Sequence, residues 1–190
     1  MKSLTAAAAF SLVVAGVAQA NEFEPAMQEF LEAELGTWST DAAFVSAINA
    51  QNTQTAGYDQ AMIDQLDARW RAEVGMADTP TITPVMTSAL SEVLRSRVAA
   101  AGGRITEVFV MDARGLNVAA SDVTSDYWQG DEAKFQETYG RGPGASHLGE
   151  VEFDESTQTY QGQISLTIVD PSSGQAIGAV TVGVDAESLM

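Results

Sequence analysis

The sequence predicts an α+β fold: a five-stranded antiparallel sheet with long N-terminal helices packed on one face. Two observations predict it. Up to Ala101, apolar residues recur at helical spacing. Beyond Gly103 the period shortens to alternation, in β-branched and aromatic runs bounded by turn residues. Helices come first and strands follow, which is the order of an α+β domain and not of a βαβ array.

The first twenty residues read as a leader. Lys2 is followed by an apolar run from Leu4 to Ala18 and by Ala18-Gln19-Ala20. That is the layout of a secretory signal peptide cut near Ala20. The run is shorter than the roughly 20 residues of a membrane span. The mature protein is therefore expected to be soluble and periplasmic or secreted. The chain holds no cysteine, so packing and not disulfides must hold it together.

Three helical segments follow. Residues 21–36 put Phe23, Met27, Phe30, Leu31 and Leu35 on one face. Residues 39–52 open on Ser39-Thr40-Asp41 as cap residues and carry Phe44, Val45 and Ile48. Residues 58–73 place Ile63, Leu66 and Trp70 in register. Gly75 and Pro80 mark a break. A long helix is then expected over 83–101, capped by Thr83, with Pro84 in its first turn. Met86, Leu90, Val93 and Val98 would face inward, and Gly102-Gly103 would end it.

The strands are expected at 105–112 and 116–121, joined by Ala113-Arg114-Gly115, and then at 147–155, 159–170 and 175–185. The turns 156–158 and 171–174 join the last three. A loop and short helix, including "SDYWQGDEAKF" (125–135), interrupt after the first hairpin. In the strand 159–170, Gln161, Gln163, Ser165 and Thr167 alternate with Gly162, Ile164, Leu166 and Ile168. One face is apolar, and the other carries small polar groups able to bond a ligand.

The segments "VFVMDARGLNVAAS", "TSDYWQGDEAKF" and "QISLTIVDPSSGQAIGAVTVGVD" together resemble the extracytoplasmic Cache (PDC) sensor domains of bacterial receptors. The resemblance covers 105–187 and implies a PAS-like sheet of single-Cache type. The implied organisation is a signal peptide over 1–20, an N-terminal helical segment over 21–80 and a sensor domain over 81–190. It further implies a small-molecule pocket between the insert and the central strands. No membrane anchor or output domain is expected, so the chain would bind without itself signalling across a membrane. No arginine stands ahead of the Tyr127-Trp128 pair, so the resemblance does not single out an amino-acid ligand.

The expected ligand-binding residues are Tyr127, Trp128, Asp131, Lys134, Arg141, His147, Ser165, Thr167 and Asp170. The two rings combine an apolar body with a polar tip, which suits a pocket wall, although one of them packing under the insert is the plainer alternative. Asp131 stands at the start of a short helix, where a carboxylate also serves as a cap. Lys134 and Arg141 would meet a carboxylate or phosphate, or else join surface salt bridges. His147, the only histidine, is a donor or a pH-sensitive group.

Other chemistry finds little footing. "YGRGPGASHLG" (139–149) lacks the strand and helix of a phosphate loop and does not match G-x-S-x-G. Ser146 and His147 are neighbours in an extended chain and point apart, so no nucleophile and base meet there. No catalytic constellation, cofactor or metal site is expected. Glu150, Glu152 and Asp154 share a strand face that would hold calcium only with further ligands. A net charge of −17 disfavours nucleic acid and anionic membranes as partners. The expected partners are a small polar metabolite such as an amino acid, carboxylate or amine, and a membrane-bound receptor. The alternative is a ligand-free interaction module that dimerises through 21–101, on the Phe23/Met27/Phe30 stripe.

Overall fold

The computed structural model describes residues 22–154 and 159–190. The leader and the turn at 156–158 lie outside the described residues.

The N-terminal stripe folds inward. Helix α1 (Glu24–Phe30) runs into a π-helical turn at Leu31–Leu35 and a 3-10 turn at Gly36–Thr40. The wider turn lets Phe23, Met27, Phe30, Leu31 and Leu35 all reach the core. The stripe considered for dimerisation is thus covered by the chain's own sheet. Asp41 caps α2 (Ala42–Thr55), accepting from the N–H groups of Ala43 and Phe44. Asp41 also pairs with Arg97 at 2.6 Å, and the guanidinium lies over the rings of Trp38 and Phe44. Asp59 caps α3 (Gln60–Glu73) in the same way.

The helix expected over 83–101 is two helices, α4 (Ile82–Met86) and α5 (Ala89–Ala100). Ser88 starts the second one: its Oγ accepts the Ser91 N–H at 3.1 Å. Ser91 Oγ, fully buried, donates to the Val85 carbonyl and accepts from the Ala120 N–H. This tie holds both helices to the sheet. The break rotates the later face, so Leu94 is buried and Val93 is exposed. Thr83 caps nothing, since α4 begins one residue earlier.

The sheet is antiparallel throughout. Its strands are β1 (Ile105–Asp112), β2 (Asn117–Ala120), β3 (Ser146–Leu148), β4 (Glu152–Asp154), β5 (Thr159–Asp170) and β6 (Gln175–Asp185). The order is β2-β1-β6-β5-β3, with β4 also on β5. Six strands appear where five were expected because 147–155 divides. Leu148 pairs with Ile164 and Glu152 with Gln161. Four steps on one side oppose three on the other, which is a bulge at 149–151. Helix α6 (Ala133–Gln136) lies in the insert.

The two faces of the sheet differ in kind. Val108, Val110, Ile164, Leu166, Ile168, Val180, Val182 and Val184 meet α1, α2 and α5 in one apolar core. The N-terminal helices and the sheet share that core. The opposite face carries Phe109 and Met111, against which Phe135 of α6 packs. Along β5 and β6 it carries Gln163, Ser165, Thr167 and Thr181.

A polar edge of α2 fixes how helices and sheet meet. Asp112 is fully buried. Its Oδ1 accepts from the N–H groups of Arg114 and Leu116, and its Oδ2 from Gln51 Nε2 and Thr55 Oγ1. Asn52 accepts from the Ala113 N–H and donates to the Ile177 carbonyl. Both hairpin ends are thus held to one helix. Asp112→Ala would leave the N–H groups of Arg114 and Leu116 without an acceptor, while Gln51 and Thr55 keep backbone carbonyls to donate to. At about 1 kcal/mol or more for each buried group left unpaired, we expect a loss of about 2 kcal/mol. Urea unfolding measures it, and a loss below about 1 kcal/mol would mean the staple is not structural.

Candidate functional site

The insert is anchored before it can cover anything. Asp67, buried in α3, accepts from the N–H groups of Tyr127 and Trp128 at 2.9 and 3.1 Å and pairs with Arg71. Trp70 Nε1 donates to the Thr124 carbonyl, and its ring stacks on Tyr127 with centroids 5.1 Å apart. Trp128 Nε1 donates to the Arg114 carbonyl. A Cβ on Gly115, which has φ +80°, would come within 2.6 Å of Gly130 Cα, so the hairpin turn and the insert are in direct contact. Both rings of the insert are therefore built into its attachment.

Lys134 reaches the sheet. It is largely buried, pairs with Glu132 at 2.8 Å and donates to Gln129 Oε1 at 3.3 Å. Its Nζ lies 5.3 Å from the Phe109 ring centroid, over the face opposite the helices. Gln129 is itself buried and bonds the carboxylate of Asp126. Helix α6 and the 3-10 turn at Tyr139–Arg141 lie over β5 and β6. Beneath them Ser165 and Thr181 share a hydrogen bond of 2.9 Å. Thr167 Oγ1 is buried with no hydrogen-bond partner among the described residues. His147 is half-buried in β3, directly across from Ser165.

Beyond the insert this face opens into a hollow of about 510 Å³. Glu107, Gln163 and Gly183 line it from the sheet, and Glu150, Glu152 and Phe153 from the bulged segment. Gly183 keeps it open, because a Cβ there would come within 2.5 Å of the Glu107 side chain. Gln163 Nε2 donates to Glu107 Oε1 at 3.3 Å. Burial pushes the Glu107 carboxyl above the usual carboxylate range, and the Asp122 charge adds to this. The Gln163 hydrogen bond and the Lys134 charge oppose it.

The remaining expected site residues lie elsewhere. Asp131 is exposed at the turn before α6. Arg141 pairs with Glu137 on the surface. Asp170 accepts from the N–H and hydroxyl of Ser172 and shapes the β5–β6 turn. That hydroxyl bond, above all, holds its carboxyl below the usual range. The structure brings together Lys134, His147, Ser165 and Thr167 on one face of the sheet. Glu107 and Gly183 were missed as site residues; their signal was the alternation of β1 and β6. Among the described residues, no three or more His, Asp or Glu side chains group as a metal ion requires. No helix among them is long and apolar enough to cross a membrane.

No family model matches the sequence, and no curated protein does. Solved structures do. The chain is similar in structure, over most of its length, to Cache sensor domains of chemoreceptors and histidine kinases. One is the sensor domain of the V. cholerae histidine kinase DctB, at 11% identity and a TM-score of 0.40, covering 88% of this chain and 58% of that one. Another is the ligand-binding domain of a Campylobacter jejuni chemoreceptor in complex with 4-methylisoleucine, at 10% identity and 0.40, covering 90% and 63%. A third is that of the Pseudomonas aeruginosa amino-acid chemoreceptor PctC in complex with GABA, at 16% and 0.43, covering 85% and 62%. The chain spans about three fifths of the length of these structures.

Glu107→Gln is expected to raise the melting temperature at pH 7. The folded Glu107 holds its proton more tightly than the unfolded one, whose ordinary value is 4.5. Wild-type stability therefore falls as pH rises from that value through the raised folded one. Below about pH 4 both forms are neutral and the difference should vanish. Calorimetry at pH 4 and 7 measures this; a variant less stable than wild type at pH 7 contradicts it.

Proposed function

We propose that this chain is a ligand-binding sensor module of the periplasm, which captures a small polar metabolite on the insert-covered face of its sheet. The mature module would begin after Ala20 and present its bound state to a membrane-bound receptor. The observation that carries the reading is the contrast between the two sheet faces. One is sealed with apolar side chains. The other holds hydroxyls, amides and a half-buried carboxylate beside an open hollow. A polar, partly desolvated surface of this kind is stable when a guest completes its hydrogen bonds.

The charge of the hollow selects the guest. Glu107, Glu150 and Glu152 face it, with Gln161 and Gln163 beside them. An ammonium group would be attracted, and a bare carboxylate repelled. Amines and amino acids are thus the first compounds to test.

Thermal-shift measurements with amines, amino acids and simple carboxylates test the reading. At a hundredfold excess over Kd, a ligand of the folded state should raise the melting temperature by about 5 °C or more. Ammonium-bearing compounds should do so and simple carboxylates should not, and Glu107→Gln should diminish the shift. A flat response to every compound would overturn the proposal.

A further inference from the structure

A second cavity, of about 730 Å³, lies on the helix side of the sheet, between α2, α3 and the corner from α4 to α5. That volume is in the range of small-molecule sites. Leu66, Val85, Leu90 and Val118 give it an apolar lining. Its polar lining is distinctive, because the donors and the acids stand in different states of use.

The acids are already occupied. Glu73 accepts from the Thr81 N–H, the Thr81 hydroxyl and the Ile82 N–H. Asp112, behind the cavity, has both oxygens filled by four donors. The donors are not. Among the described residues, the hydroxyls of Tyr58 and Tyr127 make no hydrogen bond, and the Arg69 guanidinium makes no hydrogen bond or ion pair, its charge acting on Glu73 one turn along α3 without direct contact. Burial, with Asp112 and Tyr58 nearby, pushes the Tyr127 hydroxyl well above its ordinary range, so it remains a proton donor. Tyr127 itself is held in place by its stack on Trp70 and by Asp67. Tyr127 is thus fixed, Arg69 stands exposed at the rim, and the cavity between them mixes apolar side chains with the amides and hydroxyls of Gln51, Gln54 and Ser88.

We propose that this cavity is a second binding site, which takes a small organic acid with an apolar body, its carboxylate facing Arg69 and the hydroxyls of Tyr58 and Tyr127. Arg supplies a charge-assisted fork, and the phenols add neutral donors. At a net charge of −17 the protein as a whole repels anions, so recognition here has to be local. The site stands apart from the hollow lined by Glu107 and does not depend on it.

Calorimetric titration of the chain with phenylacetate and hexanoate tests the proposal, with phenylacetamide and phenethylamine as comparators. Phenylacetate should bind. Arg69→Gln should weaken it about tenfold or more, and Tyr58→Phe and Tyr127→Phe each several-fold. The phenylalanine variants keep their rings, including the stack on Trp70, so a loss reports the hydroxyl and not the fold. Glu107→Gln should leave phenylacetate binding unchanged. The proposal is overturned if neither acid binds at millimolar concentration. It is equally overturned if the amide or the amine binds as tightly as the acid, or if the Arg69 and Tyr variants bind like wild type.

Discussion

Everything on the sheet is positioned by the contact between one buried carboxylate and one helix. Asp112 ends β1, closes the first hairpin through two backbone N–H groups and holds α2 through Gln51 and Thr55. Apolar packing alone would let α2 slide or rotate over the valine-rich face, since that attraction has no direction. Hydrogen bonds to a desolvated acceptor do have direction, and a slip of one residue would leave them unmade. Asn52 and Asn49 extend the same edge to the second hairpin. The distances between the hairpin ends, and so the shape of the opposite face, follow from this seam.

The insert is a strap with two sides. Its beginning is tied down by Asp67, Trp70 and the Arg114 carbonyl. Its end lies over the sheet through Phe135 and Lys134. Tyr127 looks toward the helices and Lys134 toward the strands. A short segment thereby borders two chemically opposite environments: an acid-lined hollow that suits positive charge and a donor-lined cavity that suits negative charge.

Much of the fold was legible in the sequence, because periodicity reports which face of an element is buried. The stripe from Phe23 to Leu35 and the alternation of Ile164, Leu166 and Ile168 each point to one core, and the structure has that core. What the pattern could not carry was local. The break at Thr87-Ser88 depends on Ser91 reaching a carbonyl and an N–H on two other elements, which no spacing rule contains. The bulge at 149–151 depends on the register against β5. The site was legible in its polar alternation along β5, but less so in the insert. Tyr127 and Trp128 look alike in sequence, yet one stacks on Trp70 and the other caps a hairpin turn. Glu107 stood only in the alternation of β1, and a lone acid in a strand reads as solvent-facing until the neighbouring strands bury it.

The position of β6 has a consequence for how the chain comes together. It lies between β1 and β5, so Val110 has Val180 beside it as its partner on one side. During synthesis the helices and the first hairpin emerge with their apolar faces uncovered. They wait for β6, which follows β5 in sequence, before the layer that shelters them can close. Such long-range pairing slows folding. It also makes the arrival of β6, and not the strength of any early helix, the point at which a nascent chain commits to its native form.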